Sequence, residues 1–318
     1  MGEGSPPVSG RAVSPRAATY QGGVTVGELY REVRQGLRAA GVEDDGIEAE
    51  ALVCAALDVE PAWFYANPES VPPADATRRV HEYVGRRTKR EPLAYITGCA
   101  LFYSRRFAVD PRVLVPRPET ELLVERALTW PLADAPGPVR VADVGTGSGV
   151  LAITLAIEMS LLAGSRGVEV HAVDASEDAL AVARANCETH GAGHLIRFYR
   201  GDLAAPLSGR FDIVVANLPY IRSAGLAERQ PELQFEPTGA LYGGEDGMRY
   251  VGPMIDALRG LLAPRALAVL EIDPPIAHQA LKRARAAVHG ARIAVRRDLS
   301  GLDRVLEVDL AGAGRGNC

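Results

Sequence analysis

The sequence predicts an α/β protein in which a small helical domain precedes a larger unit built on a mostly parallel sheet. Three observations support this fold class. Residues 24 to 92 follow a helical spacing of apolar side chains, residues 93 to 116 hold two short β-branched and aromatic runs, and apolar runs alternate with helical stretches from residue 139 on. Repeated β-α units favour parallel strands that helices cover on both faces.

The helical domain follows an N-terminal stretch that is rich in Gly, Ser, Pro and Ala. Residues 1 to 23 hold almost no large apolar side chains, so we expect them to be disordered. Thr25 and Glu28 fit a capping box at the start of a first helix, which we expect to end near Gly41. The other helical segments of residues 24 to 92 are EAEALVCAAL and RRVHEYVGRRTKR, and PAWFYANPE between them is a short helix or a turn.

The larger unit, residues 117 to 310, follows a hairpin linker over residues 93 to 116, and we expect residues 311 to 318 to form a flexible tail. The strand candidates are VRVADV (139–144), VEVHAVD (168–174), LIRFYR (195–200), FDIVVAN (211–217) and ALAVLEI (266–272). The helical candidates are GVLAITLAIEMSLLA, EDALAVARANCETHG, MRYVGPMIDALRGLLA and PIAHQALKRARAAVHG. RIAVRRD and DRVLEVDL, joined by LSGL, predict an antiparallel pair at the sheet edge.

Composition and charge limit the class of protein. A chain of 318 residues with 47% hydrophobic content can fill the cores of two globular domains. It has no run of about 18 apolar residues and no apolar segment near its start, so we expect no membrane span and a cytoplasmic location. The net charge of -5 provides no broad attraction for nucleic acid. Without CxxC spacing, the cysteines predict free thiols and no metal site.

A glycine-rich loop joins the first strand of the sheet to the next helix. VADVGTGSG contains Asp143, Gly145, Thr146, Gly147, Ser148 and Gly149. Glycines there let the backbone turn sharply and let a ligand approach without an intervening Cβ. By itself the loop leaves three alternatives open, namely an adenosylmethionine site, an NAD site, because Gly147, Gly149 and Ala152 also fit GxGxxA, and a purely structural turn.

Two acidic residues follow the next strands. Asp174 ends the second strand, where a carboxylate can accept both ribose hydroxyls of either cofactor. Asp202 follows the third strand, where it could accept from an adenine amino group with Leu203 beside the base, or could serve as a turn or cap residue. Open parallel sheets bind ligands at the carboxyl ends of their strands, so the loop, both acids and Asn217 should meet along one crevice.

The fourth strand ends at Asn217, and Leu218, Pro219 and Tyr220 follow it. In methyl transfer from a sulfonium, the acceptor nitrogen must direct its lone pair at the methyl carbon, and an amide or aromatic amine delocalises that lone pair. The Asn217 side-chain oxygen and the Leu218 carbonyl could accept the two N–H hydrogens, while Tyr220 stacks on the planar acceptor. Asn and Pro at a strand end could otherwise be turn residues only.

Beside the glycine loop, this stretch resembles the Asn/Asp-Pro-Pro-Tyr/Phe motif of class I aminomethyltransferases. Residues 90 to 128, REPLAYITGCALFYSRRFAVDPRVLVPRPETELLVERAL, resemble the hairpin and PRPETE signature of the peptide chain release factor N5-glutamine methyltransferases, the PrmC/HemK family. FEPTGALYGGEDGMRYVGPMI and RRDLSGLDRVLEV resemble later segments of that family, so the resemblance spans about residues 24 to 310.

The resemblance implies a Rossmann-like class I methyltransferase sheet with an antiparallel last strand, a β-hairpin linker and an N-terminal substrate-recognition domain. It implies methyl transfer from S-adenosylmethionine to the glutamine amide of a Gly-Gly-Gln tripeptide in class I release factors. With the charge and composition described above, we expect no metal, no membrane and no nucleic acid as a direct substrate. The implied cofactor residues are Asp143, Gly145, Thr146, Gly147, Ser148, Gly149, Asp174, Asp202, Leu203 and Asn217. The implied substrate residues are Asn217, Leu218, Pro219, Tyr220, Arg117 and Glu119, of which Asn217, Pro219 and Tyr220 are catalytic.

The sequence also departs from the family and allows other functions. Leu218 replaces the usual first proline, but the expected role uses a backbone carbonyl, and Pro219 biases the preceding residue toward extended backbone. EIDPP retains Glu271 but has Asp273 where the family usually has Gly. The nearest alternative is an adenine-N6 RNA methyltransferase, in which the extra domain follows the catalytic one. A non-catalytic docking protein is the other alternative, and the intact motif and loop disfavour it.

Two charged segments have a plain structural interpretation beside a functional one. Arg117 and Glu119 could shape the entrance to the site, or Pro118 and Glu119 could simply begin a helix. The basic run over residues 78 to 90 could contact an acidic partner or ribosomal RNA, but a solvated helix face is the favoured interpretation.

Overall fold

The computed structural model describes residues 23–131, 137–223 and 230–310. The chain divides into two compact units between Thr88 and Lys89, whereas the sequence placed the domain boundary after residue 92. The predicted disordered start, apart from Gly23, and the predicted C-terminal tail lie outside the described residues.

The first unit is helical, as the sequence predicted. Its helices are α1 (Val26–Ala39), α2 (Asp45–Leu57), α3 (Pro61–Ala66) and α4 (Ala74–Arg87). The predicted capping box begins α1, since the Thr25 hydroxyl accepts from the Glu28 N–H and the Glu28 carboxylate accepts from the Thr25 N–H at 2.8 Å. In the basic run, Arg79 donates to the Ala56 carbonyl and buried Arg87 pairs with Glu48. These two arginines therefore stabilise the unit internally.

The second unit begins with α5 (Leu93–Thr97) and a hairpin of β1 (Cys99–Phe102) and β2 (Arg105–Ala108). A 3-10 turn (Pro118–Thr120) leads into α6 (Glu121–Leu128). The next elements are β3 (Val139–Val144), α7 (Val150–Ala163), β4 (Val168–Asp174), α8 (Glu177–Thr189), β5 (Ile196–Arg200) and β6 (Phe211–Ala216). The last described elements are α9 (Thr238–Leu241), α10 (Val251–Leu261), β7 (Leu262–Glu271), α11 (Pro274–Ala287), β8 (Arg292–Arg297) and β9 (Asp303–Asp309).

The described strands β3 to β9 form a seven-stranded sheet in the order β5-β4-β3-β6-β7-β9-β8. The first five strands in this order pair in parallel, and β9 is antiparallel to both β7 and β8. This confirms the predicted sheet, with its antiparallel pair at one edge. β7 starts at Leu262, earlier than the predicted residue 266, because Leu262 pairs with Phe211 across an irregularity in the register.

Strand register brings the ends of the central strands together. In the paired strands, Val144 of β3 lies opposite Val173 of β4 and Ala216 of β6. Every residue of β6 is buried, as expected for a strand covered by helices on both faces. The segments that follow β3, β4 and β6 therefore leave the sheet at one level.

The hairpin packs into the second unit. Phe102 and Phe107 are buried in the same apolar cluster as side chains of α6, α7 and β3. Asn186 of α8 accepts from the Ala108 N–H at 2.8 Å and donates to the Ala108 carbonyl at 3.0 Å. The segment predicted as a linker is thus an integral part of the unit that contains the sheet.

Other predictions concern thiols, metals and membranes. Cys54, Cys99 and Cys187 are free thiols, and Cys318 lies outside the described residues. Among the described residues, His, Cys, Asp and Glu side chains form no group of three that could hold a metal ion. In the same residues we find no helix with the length and apolar character that a membrane crossing requires.

We expect Phe107→Ala to lower the free energy of unfolding of the second unit by ~3 to 5 kcal/mol, because it leaves a cavity beneath the hairpin. Leu101→Ala on the paired strand is the matched control, since Leu101 is 70% exposed and its loss should change stability by about 0.5 kcal/mol or less. Urea unfolding of both variants measures the difference, and equal effects would contradict the packing of the hairpin into the core.

Candidate active site

A cavity of about 500 Å³ lies at the carboxyl ends of the parallel strands, within the second unit. Its lining comes from the ends of β3, β4, β5 and β6, from the segment before α6 and from residues around α9. The predicted site residues that line it are Gly145, Thr146, Gly147, Ser148, Asp174, Asp202, Leu203, Asn217, Leu218 and Pro219. The predicted site residues outside the lining are Asp143, Gly149, Tyr220, Arg117 and Glu119.

The glycine loop is fixed to the neighbouring strand by backbone hydrogen bonds. The Gly145 and Thr146 N–H groups both donate to the Val173 carbonyl at 2.9 Å. Gly145 has φ +80°, and a Cβ there would lie 2.9 Å from Cδ2 of Leu218 and 3.2 Å from the carbonyl oxygen of Asn217. Only glycine lets the loop pass this close to the segment that follows β6.

Asp143 and Gly149 stabilise the loop, Asp143 by hydrogen bonds and Gly149 by close packing. Asp143 is fully buried, and its Oδ2 accepts from the Thr146 hydroxyl at 2.7 Å and from the Ala152 N–H at 3.1 Å. Its Oδ1 has no partner among the described residues, and burial raises the pKa of the carboxyl to about 7. A Cβ on Gly149 would lie 3.2 Å from that of Ala183, so this glycine lets α7 pack closely on α8. Direct cofactor contact by either residue stays a prediction.

The two predicted acids meet the cavity differently. Asp174 accepts from the Gly147 and Ser176 N–H groups at 2.9 Å each. Burial raises the pKa of Asp174, and these N–H donors oppose that rise. Asp202 is exposed and lines the cavity, and its contact with an adenine ring stays a prediction. Leu203 has φ +47°, a conformation that costs free energy in a non-glycine residue and is common at functional sites.

A chain of polar side chains lies at the Asn217 end of the cavity. The Asn217 side-chain nitrogen donates to the Thr120 hydroxyl at 3.1 Å, and that hydroxyl donates to Oε2 of Glu271 at 2.7 Å. The Tyr220 hydroxyl donates to Oε1 of Glu271 at 2.8 Å. Burial raises the pKa of Glu271, and burial beside this carboxylate raises the pKa of Tyr220.

Sequence reasoning did not assign Thr120 or Glu271 to the site. Thr120 lies inside PRPETE, and Glu271 is the next-to-last residue of the strand run ALAVLEI, so both were in segments that the sequence had marked. Their side chains are 151 residues apart in the chain, and no local spacing pattern connects them. Only the resemblance of both segments to one family could have drawn attention to them together.

Arg117 and Glu119 lie outside the cavity lining. Arg117 pairs with the buried carboxylate of Glu236, which also accepts from the Val115 N–H at 3.1 Å. Pro237, the next residue, lines the cavity, so this pair secures the cavity wall. Glu119 is exposed and lies in the 3-10 turn that precedes α6, in agreement with the helix-start interpretation. A substrate contact by either residue stays a prediction.

Two family models match the chain. Residues 28–98 match the PrmC N-terminal domain, and residues 120–230 match the methyltransferase small domain. The second match covers the glycine loop and the segment that follows β6. With the sheet order described above, these matches define a methyltransferase with the Rossmann-like class I fold.

Relatives along nearly the whole chain identify the family. The release factor glutamine methyltransferase of Nitratidesulfovibrio vulgaris is 36% identical over 293 residues, 91% of this chain and 94% of the relative. Those of Deinococcus radiodurans (36%; 90% of this chain, 98% of the relative) and Bacillus subtilis (33%; 89% and 96%) match similarly. The chain belongs to the release factor glutamine methyltransferase family.

A solved methyltransferase from Pyrococcus furiosus is 15% identical, with a TM-score of 0.46 over 66% of this chain and 90% of that chain. This likeness is too distant to bear on the site.

We expect Asp143→Asn to change how stability depends on pH. Because burial raises the pKa of native Asp143 to about 7, the native state binds more protons than the unfolded state between about pH 4 and pH 7. The stability that protonated Asp143 contributes is therefore lost as pH rises through this range, by ~2 kcal/mol or more. The Asn variant keeps an oxygen acceptor for Thr146 and does not titrate. Urea unfolding across this range should show wild type losing stability relative to the variant, and parallel curves would refute the expectation.

Proposed function

We propose that this protein transfers a methyl group from S-adenosylmethionine to the glutamine side-chain amide of the Gly-Gly-Gln tripeptide in class I peptide chain release factors. The observation that carries the proposal is the placement of Asn217 and Leu218 on one cavity with the glycine loop. The names of the relatives support the choice of glutamine in a release factor as the acceptor. We expect the reaction in the cytoplasm, where release factors act.

The residues around the cavity fit S-adenosylmethionine. Gly145 lets the loop pack closely against Leu218, and a Cβ on Gly147 would meet no heavy atom within 4 Å, so the loop backbone at Gly147 is open to a ligand. The Ala152 N–H near the start of α7 donates to Asp143, and the N–H groups of Val150 and Leu151, which line the cavity, can donate to the methionine carboxylate. The Asp174 carboxylate can accept the ribose hydroxyls, and Asp202 with Leu203 can bind the adenine ring.

When bound, the cofactor supplies an electrophilic methyl group on a sulfonium. The side-chain nitrogen of Asn217 already donates to Thr120, which leaves its oxygen as the acceptor for the substrate. That oxygen and the Leu218 carbonyl accept the two N–H hydrogens of the glutamine amide and direct its lone pair at the methyl carbon. Orientation of this kind contributes on the order of 7 kcal/mol or more in favourable cases, so no strong base is needed early in the reaction.

Tyr220 and Pro219 shape the approach of the glutamine. Pro219 lines the cavity, and Tyr220, the next residue, is held by its hydrogen bond to Glu271. Tyr220 lies outside the cavity lining, and Pro219 next to it lies in the lining. A glutamine whose amide stacks on the Tyr220 ring must therefore enter beside Pro219. We assign recognition of the rest of the release factor to the helical unit, which matches the PrmC N-terminal domain.

The proposed acceptor is tested by incubating the purified protein with labelled S-adenosylmethionine and a class I release factor. We expect label on the Gly-Gly-Gln glutamine, and none on a release factor in which alanine replaces that glutamine. Bare ribosomal RNA is the second substrate in the same assay. Label on the RNA would overturn the proposal in favour of an RNA adenine as the acceptor. Label on another residue of the release factor would overturn the assignment of the glutamine.

Asn217→Ala should lower kcat on the release factor by about a hundredfold or more, because it removes an acceptor that orients the amide and stabilises its developing charge. Binding of S-adenosylmethionine should weaken by only about threefold, since the glycine loop and Asp174 remain. Single-turnover kinetics and calorimetry measure the two quantities separately. Unchanged turnover would refute the assigned role of Asn217.

A further inference from the structure

Thr120 and Glu271 have no part in the reaction as proposed, yet they form the buried polar contact next to Asn217. Thr120 is 2% exposed and lines the cavity, and Glu271 is 2% exposed. We propose that Thr120 and Glu271 are positioning residues, which fix the side-chain amide of Asn217 with its nitrogen toward Thr120 and its oxygen toward the substrate. This inference rests on the proposed function for its kinetic consequence, and its structural part is independent of the substrate.

The direction of each hydrogen bond follows from the number of hydrogens available. The Thr120 hydroxyl donates its single hydrogen to Oε2 of Glu271, 2.7 Å away, and an ionised carboxylate can only accept. The Thr120 oxygen then has only lone pairs left for Asn217, 3.1 Å away. Because only the nitrogen of the Asn217 amide has hydrogens to donate, the nitrogen must face Thr120. The reversed amide would place two acceptors against each other.

Two hydroxyl groups and a positive charge surround the carboxyl group of Glu271. The Tyr220 hydroxyl donates to its second oxygen at 2.8 Å. Burial raises the pKa of Glu271, while the Thr120 and Tyr220 hydroxyls and the positive charge of Arg304 oppose this rise. Each oxygen of Glu271 thus accepts one hydroxyl, and one of these hydroxyls determines the orientation of Asn217.

The orientation of Asn217 determines whether the acceptor amide can bind productively. With its oxygen toward the cavity, Asn217 accepts an N–H of the glutamine. With its nitrogen toward the cavity, two N–H groups would face each other, and the glutamine nitrogen would lose one of its two acceptors. A small displacement of a reacting group can cost about a hundredfold in rate, so the fixed orientation should matter for kcat.

The structural part is tested in the full chain without substrate, by NMR of protein labelled with 15N-asparagine. The Asn217 side-chain signals are assigned by their absence in Asn217→Ala. We expect Asn217 to show slow exchange of an amide proton with solvent in wild type and in Thr120→Ser, which keeps the hydroxyl. Thr120→Val, which has nearly the same shape without the hydroxyl, should speed this exchange by about tenfold or more. Equal exchange in the valine and serine variants would overturn the inference.

The kinetic part uses the same variants with the release factor as substrate. Thr120→Val should lower kcat by about tenfold to a hundredfold, with KM for S-adenosylmethionine within about twofold of wild type. Thr120→Ser should recover kcat to within about threefold. Equal losses in both variants, or wild-type kcat in the valine variant, would contradict a positioning role.

A second position keeps the inference testable if Thr120→Val does not fold. Glu271→Gln keeps the shape of the side chain, but its amide can either accept from or donate to Thr120. We expect it to speed exchange of the Asn217 amide and to lower kcat in parallel, and unchanged exchange would count against the inference. A wild-type protein that fails to methylate the release factor would refute the proposed function alone, because the NMR comparison decides the positioning role independently.

Discussion

The parallel pairing of the central strands is the constraint on which the rest of the site depends. Val144 lies between Val173 and Ala216 in the paired register, so β3, β4 and β6 end at one level. The glycine loop, Asp174 and Asn217 follow these strand ends and therefore meet around one cavity. Because helices cover both faces of a parallel sheet, its strands are buried and rigid, and they hold the attached loops precisely enough for chemistry.

The same part of the molecule carries a cost in stability. A buried carboxylate is unfavourable unless hydrogen bonds and opposite charge compensate for its lost hydration. Glu271 has this compensation from Thr120, Tyr220 and the nearby charge of Arg304. Asp143 has only partial compensation, since one of its oxygens has no partner among the described residues. Both carboxylates lie next to the cavity, where a fixed geometry is of more use than maximal stability.

The side chain and the backbone carbonyl of Leu218 have separate roles at the site. The side chain is buried and approaches the loop so closely that a Cβ on Gly145 would lie 2.9 Å from it. The proposed chemistry uses the Leu218 carbonyl, which any residue supplies. The Leu218 side chain thus packs the loop against the motif, and the proposed role of its carbonyl does not depend on the side chain. The pair of Arg117 and Glu236 holds the segment before Pro237, which lines the cavity.

The sequence by itself determined the strands, the glycine loop and the Asn217 motif, because apolar runs, glycines and prolines act on the backbone locally. The bounds of β3 and β4 agree with the predicted runs for this reason. Tertiary structure decided the contact of Asn217 with Thr120, 97 residues away in the chain, and the burial of Asp143 beneath the loop. It also decided that the hairpin packs into the core of the second unit. The alternation of strands and helices predicted which segments meet at the edge of the sheet, but individual hydrogen bonds and burial depend on side-chain packing between distant segments, which local patterns do not specify.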